Sequence, residues 1–316
     1  ADTAAIGSIM LPSMVRRGYP RPLATAIVAA AGGMGILIPP CILMIIFALA
    51  ANVSVGYLFA AGFVPGALMG LSLMVMVYMV AGREGLPREE RSNCGEMFRA
   101  FVEAVPPLLM PVIILGGIIS GIFTATESAV VAVLYGALLS LLVYRELHLS
   151  DIPRILLDSA KLTGVVTLLI GMSSTFAWIL ATQQIPQAIA SGMLSISKEP
   201  WAFLMLVNIL LLFVGTFMDA TPAVIILVPI LFPVATKLGI DPIHFGIVMV
   251  ANLGIGFITP PVGTCLYVAA GIGKVSIEQL VKPLLPFLAM MILTLIIITY
   301  MPDVTLFVPR LTGYSR

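Results

Sequence analysis

Charge is what this sequence has least of. Only 10% of its 316 residues are Asp, Glu, Lys or Arg, where a soluble domain carries roughly 25%. Hydrophobic residues make up 60%, and the mean hydropathy is +1.13. Water does not accommodate that much apolar surface, but a bilayer does. The net charge of +1 offers nucleic acid no basic face, so no nucleic-acid partner is expected. Cysteine is scarce as well. Cys41, Cys94 and Cys265 are odd in number and widely spaced, which excludes a disulfide framework and a zinc site. The two histidines, His148 and His244, lie far apart. The chain starts without an initiator Met, a basic leader or a cleavage site, and Asp2-Thr3-Ala4 reads like the middle of a motif, so a longer parent chain is expected.

What is there is a series of apolar runs. Residues 23–50 are interrupted by Gly32, Gly33, Gly35, Pro39 and Pro40, whereas 57–81 are long enough to cross the bilayer unbroken. A polar loop, Gly82 to Gly95, precedes runs at 105–122 and 128–144. Residues 145–161 read as a charged, amphipathic interfacial helix. Runs resume at 163–182, 201–218, 222–236, 243–270 and 283–301. The excess of basic residues on cytoplasmic loops orients them. With the Arg16-Arg17-Arg21 loop inside, twelve Lys/Arg fall inside and four outside. This rule leaves open whether 201–218 and 222–236 form a re-entrant hairpin or two full spans, because two crossings cancel.

The chain contains a repeat. Gly33-Met34-Gly35-Ile36-Leu37-Ile38-Pro39-Pro40 recurs 221 residues on as Gly254-Ile255-Gly256-Phe257-Ile258-Thr259-Pro260-Pro261. Upstream, Asp2-Thr3-Ala4 matches Asp219-Ala220-Thr221. Downstream, Val53-Ser54 matches Val275-Ser276 and Pro65 matches Pro286. The charge rule makes the two copies antiparallel. The expected fold is therefore an all-α polytopic membrane protein with inverted repeats, re-entrant hairpins and discontinuous helices. Three parts are expected. Residues 1–81 hold the second half of a first hairpin, a broken helix and a further span. Residues 82–161 hold a cytoplasmic loop, two connecting spans and the interfacial helix. Residues 162–316 hold a span, a second hairpin, a broken helix and a final span.

Matched breaks of this kind mark ion-coupled secondary transporters, with substrate and ion sites near the midplane. Gly-x-Gly followed by Pro-Pro removes backbone donors and unwinds the chain. Freed carbonyls in lipid are costly unless they line a cavity or meet a cation. Half-helix N-termini at the same break present N–H groups to a carboxylate. Asp219, at the tip of the second hairpin, reads as both a helix cap and a site residue; Asp2 and Thr3 take the same reading by symmetry. Thr259 places a hydroxyl inside the second break, where a hard cation such as Na⁺ finds only oxygen donors. Ser173-Ser174-Thr175 is a weaker candidate. Glu127 reads as a cap between two spans, and Asn208 and Asn252 as interhelical hydrogen-bonders. An intramembrane enzyme would need a nucleophile with a base, a His-Glu metal motif or paired aspartates, and none is present at usable spacing. A pore would need polar stripes along several helices, whereas polarity here is confined to two breaks.

Ala1-Asp2-Thr3-Ala4-Ala5-Ile6-Gly7, Gly35-Ile36-Leu37-Ile38-Pro39-Pro40, Gly116-Gly117-Ile118 with Phe123-Thr124-Ala125-Thr126-Glu127, and Thr259-Pro260-Pro261-Val262-Gly263 together resemble the large membrane (M) subunit of the tripartite ATP-independent periplasmic (TRAP) transporters. The resemblance covers essentially the whole chain. It implies a multi-pass protein of the bacterial or archaeal inner membrane that takes up an organic acid such as a C4-dicarboxylate or sialic acid by sodium symport. It further implies an elevator-type mobile domain, a small four-helix (Q-type) membrane subunit and a periplasmic (P-type) substrate-binding protein. The alternative is another ion-coupled transporter, or an anion channel, working without a binding protein. Carried over, the hairpins contribute Asp2, Thr3, Asp219 and Thr221, and the breaks contribute Gly33, Gly35, Gly254, Gly256 and Thr259, with Na⁺ expected among them. Two departures stand out: the family's earlier spans and the first half of its first hairpin are missing, and Cys41 stands where the family commonly has Ser.

Overall fold

The structure is a computed structural model and describes residues 2–86, 93–185, 188, 191–192 and 199–315. Every element among them is helical, and eight helical stretches are long and apolar enough to cross a membrane. The chain divides into two compact units, residues 1–88 with 176–316, and residues 89–175.

The larger unit holds both copies of the repeat. In the first, α1 (Asp2–Arg16) leads to α2 (Arg21–Met34), which Pro22 helps to start. A 3₁₀ turn, Gly35–Leu37, follows, and Ile38 is extended at φ −88°, ψ 119°, as a residue before proline must be. Past Pro39-Pro40 the chain re-enters α3 (Ile42–Ala51), which left-handed Asn52 closes. Ser54 then caps α4 (Val55–Glu84), accepting from the Tyr57 N–H at 3.4 Å. The second copy repeats these joints. After the hairpin of α8 (Pro200–Phe217) and α9 (Ala220–Lys237) comes α10 (Pro242–Gly256), a break at Pro260-Pro261, and α11 (Thr264–Gly273), which left-handed Lys274 closes. Ser276 caps α12 (Ile277–Tyr300), accepting from the Gln279 N–H at 3.3 Å. The two Pro-Pro bonds are both cis.

The two copies run in opposite directions. The start of α2, the end of α4 and the α11–α12 junction line one cavity, which includes Arg21, Arg83, Lys274 and Lys282. These are segments that the charge rule places together on the cytoplasmic side. At the other end, Pro200, Leu238, Asp241, His244 and Pro302 line a second cavity with Tyr314, whose ring lies 5.0 Å from that of Tyr57 at the start of α4. Thus α2 enters from one end and α10 from the other.

The core is centred on α10, buried from Ile243 through Gly256, as befits a helix apolar on all sides. Phe47, Phe203, Phe232 and Phe245 pack around it, with Phe47 and Phe232 edge to face at 5.9 Å. Asn208 and Asn252 hydrogen-bond between helices as expected: Asn252 Nδ2 donates to Asn208 Oδ1 at 2.8 Å, and Asn208 Nδ2 donates to Thr299 Oγ1 at 3.0 Å. A terminal helix absent from the list of apolar runs, α13 (Pro302–Leu311), covers this end and packs on α4. Its ten residues carry Asp303 and Arg310 in an ion pair at 2.6 Å, and they are too few and too polar to register as a span.

The smaller unit pairs α5 (Cys94–Ile119) with α6 (Ala125–Leu138). The Tyr135 hydroxyl donates to the Pro106 carbonyl at 2.7 Å, and Ser128 to that of Ile114 at 3.3 Å. Glu127 is the expected cap: it accepts from the Thr124 N–H at 2.8 Å while Thr124 Oγ1 accepts from the Glu127 N–H at 3.3 Å. Of residues 145–161, expected as an interfacial helix, Leu149–Asp151 form a 3₁₀ turn and those from Ile152 run into the following span as one helix, α7 (Ile152–Thr182). No proline follows Pro153 within this helix, and Gly164 and Gly171 cost only about 1 kcal/mol each. Within it, Ser174 and Thr175 donate to the carbonyls of Ile170 and Gly171, while the Ser173 side chain lies outside the described residues. So do Arg88, Glu89, Glu90 and Arg91 of the polar loop, and Lys198.

Candidate functional site

The site is built where hairpin tips meet helix breaks. In the second copy, α8 ends at Phe217, Met218 is extended, and Asp219 takes the capping position of α9 at φ −65°, ψ 147°. This tip lies on the second break. The Val262 N–H donates to the Thr216 carbonyl at 3.1 Å. A Cβ on Gly256 would stand 2.6 Å from the Gly215 α-carbon, and one on Gly215 would stand 3.0 Å from that of Gly256, so only glycine permits the approach at either position. Val262 lies midway along the broken span, with α11 still ahead of it. The tip therefore reaches only the middle of that span, which makes α8 and α9 a re-entrant hairpin.

Inside the break, Thr259 Oγ1 donates to the Ile255 carbonyl at 2.8 Å and keeps its lone pairs as acceptors. The carbonyls of Phe257 and Thr259 turn toward Gly263, lying 2.8 and 3.0 Å from where its Cβ would stand. The Phe257 carbonyl also accepts from the Cys265 N–H at 3.0 Å. Oxygen is thus the donor the break supplies, and among the described residues no group of three or more His, Cys, Asp and Glu exists to hold a softer metal.

The first copy repeats the arrangement. Thr3 is buried, with its hydroxyl where a side chain on Gly32 would project, so α1 seats on α2 just before the break. Asp2 opens α1, and its side chain lies outside the described residues. Gly35 begins the 3₁₀ turn. Behind it, Gly62 of α4 accommodates the Leu37 carbonyl, 2.8 Å from the place of a Cβ.

The two breaks cross at a point. A Cβ on Gly33 would lie 2.9 Å from the Gly254 carbonyl oxygen, and one on Gly254 would lie 2.9 Å from that of Gly33. Thr3, Gly32, Gly33, Gly254, Gly256 and Gly215 therefore form one continuous seam through both copies. Asp219 is exposed at the tip and makes no capping bond; Thr221 is half-buried in the first turn of α9. The starts of α3 and α9 carry no side-chain cap, which leaves backbone N–H groups at the first break and the second tip for an anion, whereas at the start of α11 the Phe257 carbonyl already takes the Cys265 N–H. Gly215, Thr216, Gly62 and Gly263 are not among the candidate site residues that the sequence offers. The signal for the first pair is a Gly-Thr step inside an apolar run, three residues before the tip carboxylate.

A family model described as "Tripartite ATP-independent periplasmic transporter, DctM component" matches residues 1–304. The chain is 48% identical to the C4-dicarboxylate TRAP transporter large permease protein DctM of Pseudomonas aeruginosa, over all of this chain and 74% of that protein. It is 39% identical to the sialic acid TRAP transporter large permease protein SiaM of Vibrio cholerae, over all of this chain and 74% of that protein. It is 44% identical to the isethionate TRAP transporter permease protein DctMQ of Oleidesulfovibrio alaskensis, over 97% of this chain and 48% of that protein.

Proposed function

The chain belongs to the DctM component family of the tripartite ATP-independent periplasmic transporters, a family of permeases and not of enzymes, and from that premise we infer that it carries an organic acid across the inner membrane by sodium symport. The observation that carries this reading is the seam at Gly33 and Gly254, where two broken helices cross and each hairpin arm rests on one of them. Two chemistries meet there. The uncapped starts of α3 and α9 supply N–H donors for a carboxylate, and the second break supplies hydroxyl and carbonyl oxygens for Na⁺. Asp219 and Thr221, with Asp2 and Thr3 by symmetry, supply the remaining oxygens around ion and substrate.

The relatives named for C4-dicarboxylate, sialic acid and isethionate share an acidic group and little else, which agrees with a seam that reads the anion while another chain selects the molecule. That chain is a periplasmic binding protein, and a small membrane subunit completes the assembly; the fused name DctMQ of one relative fits such a partner. Because the seam ties both hairpin arms to both breaks, these elements move together, as an elevator requires.

The test is uptake of labelled succinate and of sialic acid into proteoliposomes holding the permease and its small subunit. Uptake that needs both an inward sodium gradient and the binding protein is the expected result. Ohmic conductance in a planar bilayer without the binding protein would overturn this reading in favour of a channel.

A further inference from the structure

At the end of the larger unit that the charge rule makes cytoplasmic, four cations converge on one cavity of about 800 Å³: Arg21 at the start of α2, Arg83 in the last turn of α4, Lys274 closing α11, and Lys282 in α12. Two carboxylates, Glu84 and Glu278, share the rim, so four positive and two negative charges leave a formal +2. None of the four cations forms an ion pair with a described residue, although both carboxylates line the same cavity. The positive-inside rule asks only that basic residues be distributed over the cytoplasmic loops. It does not ask that segments some 250 residues apart bring theirs to one place. The cavity wall beneath the charges is apolar: Leu23 is buried, and Val275 and Pro283 are half-buried.

The inverted repeat supplies an independent observation. The start of α2, the end of α4 and the α11–α12 junction correspond, in the other copy, to the start of α10, the end of α12 and the α3–α4 junction. At that opposite end the chain fills the equivalent place itself: α13 packs on α4, and the Tyr314 hydroxyl donates to Asp241 Oδ2 at 3.1 Å while its ring meets Tyr57. At the cytoplasmic end, no described segment of the larger unit takes that role.

We propose that the cavity is a binding site for the phosphate-bearing headgroup of an acidic phospholipid of the cytoplasmic leaflet, with Arg21, Arg83, Lys274 and Lys282 on the phosphate and the apolar wall along the glycerol and upper acyl chain. Basic clefts between membrane helices on the cytoplasmic side take anionic headgroups for this reason, and the volume lies within the range of small-ligand pockets. A lipid is favoured over a soluble anion because the cavity pairs its cations with an apolar wall at the ends of spanning helices. The site joins the two copies, so its occupant ties the start of one broken helix to the end of the other.

The test measures retention of phosphatidylglycerol and phosphatidylcholine by the detergent-purified full chain, using native mass spectrometry and thermal stabilisation. Wild type should retain phosphatidylglycerol at least tenfold better than phosphatidylcholine, and the preference should weaken as salt rises. The double substitution Arg21→Gln with Lys274→Gln should abolish the preference. Arg21→Lys with Lys274→Arg should keep it, which separates lost charge from lost folding. Arg99→Gln with Arg154→Gln, removing two exposed charges elsewhere, should leave it unchanged. Equal retention of the two lipids, or equal loss in that control, overturns the proposal. Displacement of phosphatidylglycerol by millimolar inorganic phosphate also overturns it, because the site would then belong to a soluble anion.

Discussion

In the first copy a single residue, Cys41, separates Pro40 from the next helix; in the second, Val262 and Gly263 separate Pro261 from it. The extra residue accompanies a change in chemistry. Val262 gives its N–H to the second hairpin, and Gly263 leaves space for the carbonyls of Phe257 and Thr259. The first break has apolar Ile38 at the position of Thr259, and it packs its Leu37 carbonyl against Gly62. The same division appears one turn deeper. Asn252 belongs to a buried polar network with Asn208 and Thr299 in the second copy, where the first has Ala31 beside an apolar crevice. Two copies with matching joints thus differ at their breaks: the second carries a hydroxyl and a buried amide where the first carries Ile38 and Ala31.

The sharpest way to break this comparison is at the hairpin contact. Gly256→Val places side-chain atoms on the backbone of Gly215, which has nowhere to go. About 3 kcal/mol of stability should be lost, with uptake reduced beyond detection; thermal melting and proteoliposome uptake measure the two. Next, Asn252→Ala gives the second copy the residue of the first. It removes the donor to Asn208 Oδ1 and to the Val248 carbonyl, and should cost about 2 kcal/mol in unfolding titrations. A third test exchanges the breaks. Thr259→Val should raise the sodium concentration for half-maximal uptake about tenfold, equivalent to roughly 1.4 kcal/mol, with Thr259→Ser restoring it. The mirror change Ile38→Thr should leave sodium dependence where it was, and a matching shift there would make the two breaks equivalent after all. The smallest effect is the symmetric one. Ser54→Ala and Ser276→Ala each remove a cap and should cost about 1 kcal/mol apiece, equally in both copies.

The sequence made the breaks and joints legible because Gly, Pro and charge punctuate them locally. Pro39-Pro40 and Pro260-Pro261 end helices wherever they stand, and Ser54 and Ser276 announce helix starts. Other features depend on what lies across space. Charge counting cannot tell a re-entrant hairpin from two spans, and the Thr216–Val262 hydrogen bond does so because it fixes the tip against the middle of another span. The glycines at 215 and 256 are 41 residues apart, and nothing local to either predicts their approach. Asp219 is at the capping position the sequence suggests, yet its carboxylate makes no capping bond, which leaves it available at the tip. The α13 helix was missed because its amphipathic ten residues serve one end of the fold and do not cross the bilayer.

The crossing of Gly33 and Gly254 has a consequence for how the two halves can diverge. Each glycine is required by the carbonyl of the other, so neither half sets its own residue at that point. A substitution in one half has no remedy within that half; any compensation must come as a displacement of backbone in the other. Elsewhere the repeats have drifted freely, to Ile against Thr and Ala against Asn. Here both keep glycine, because the fold stores one constraint in two places.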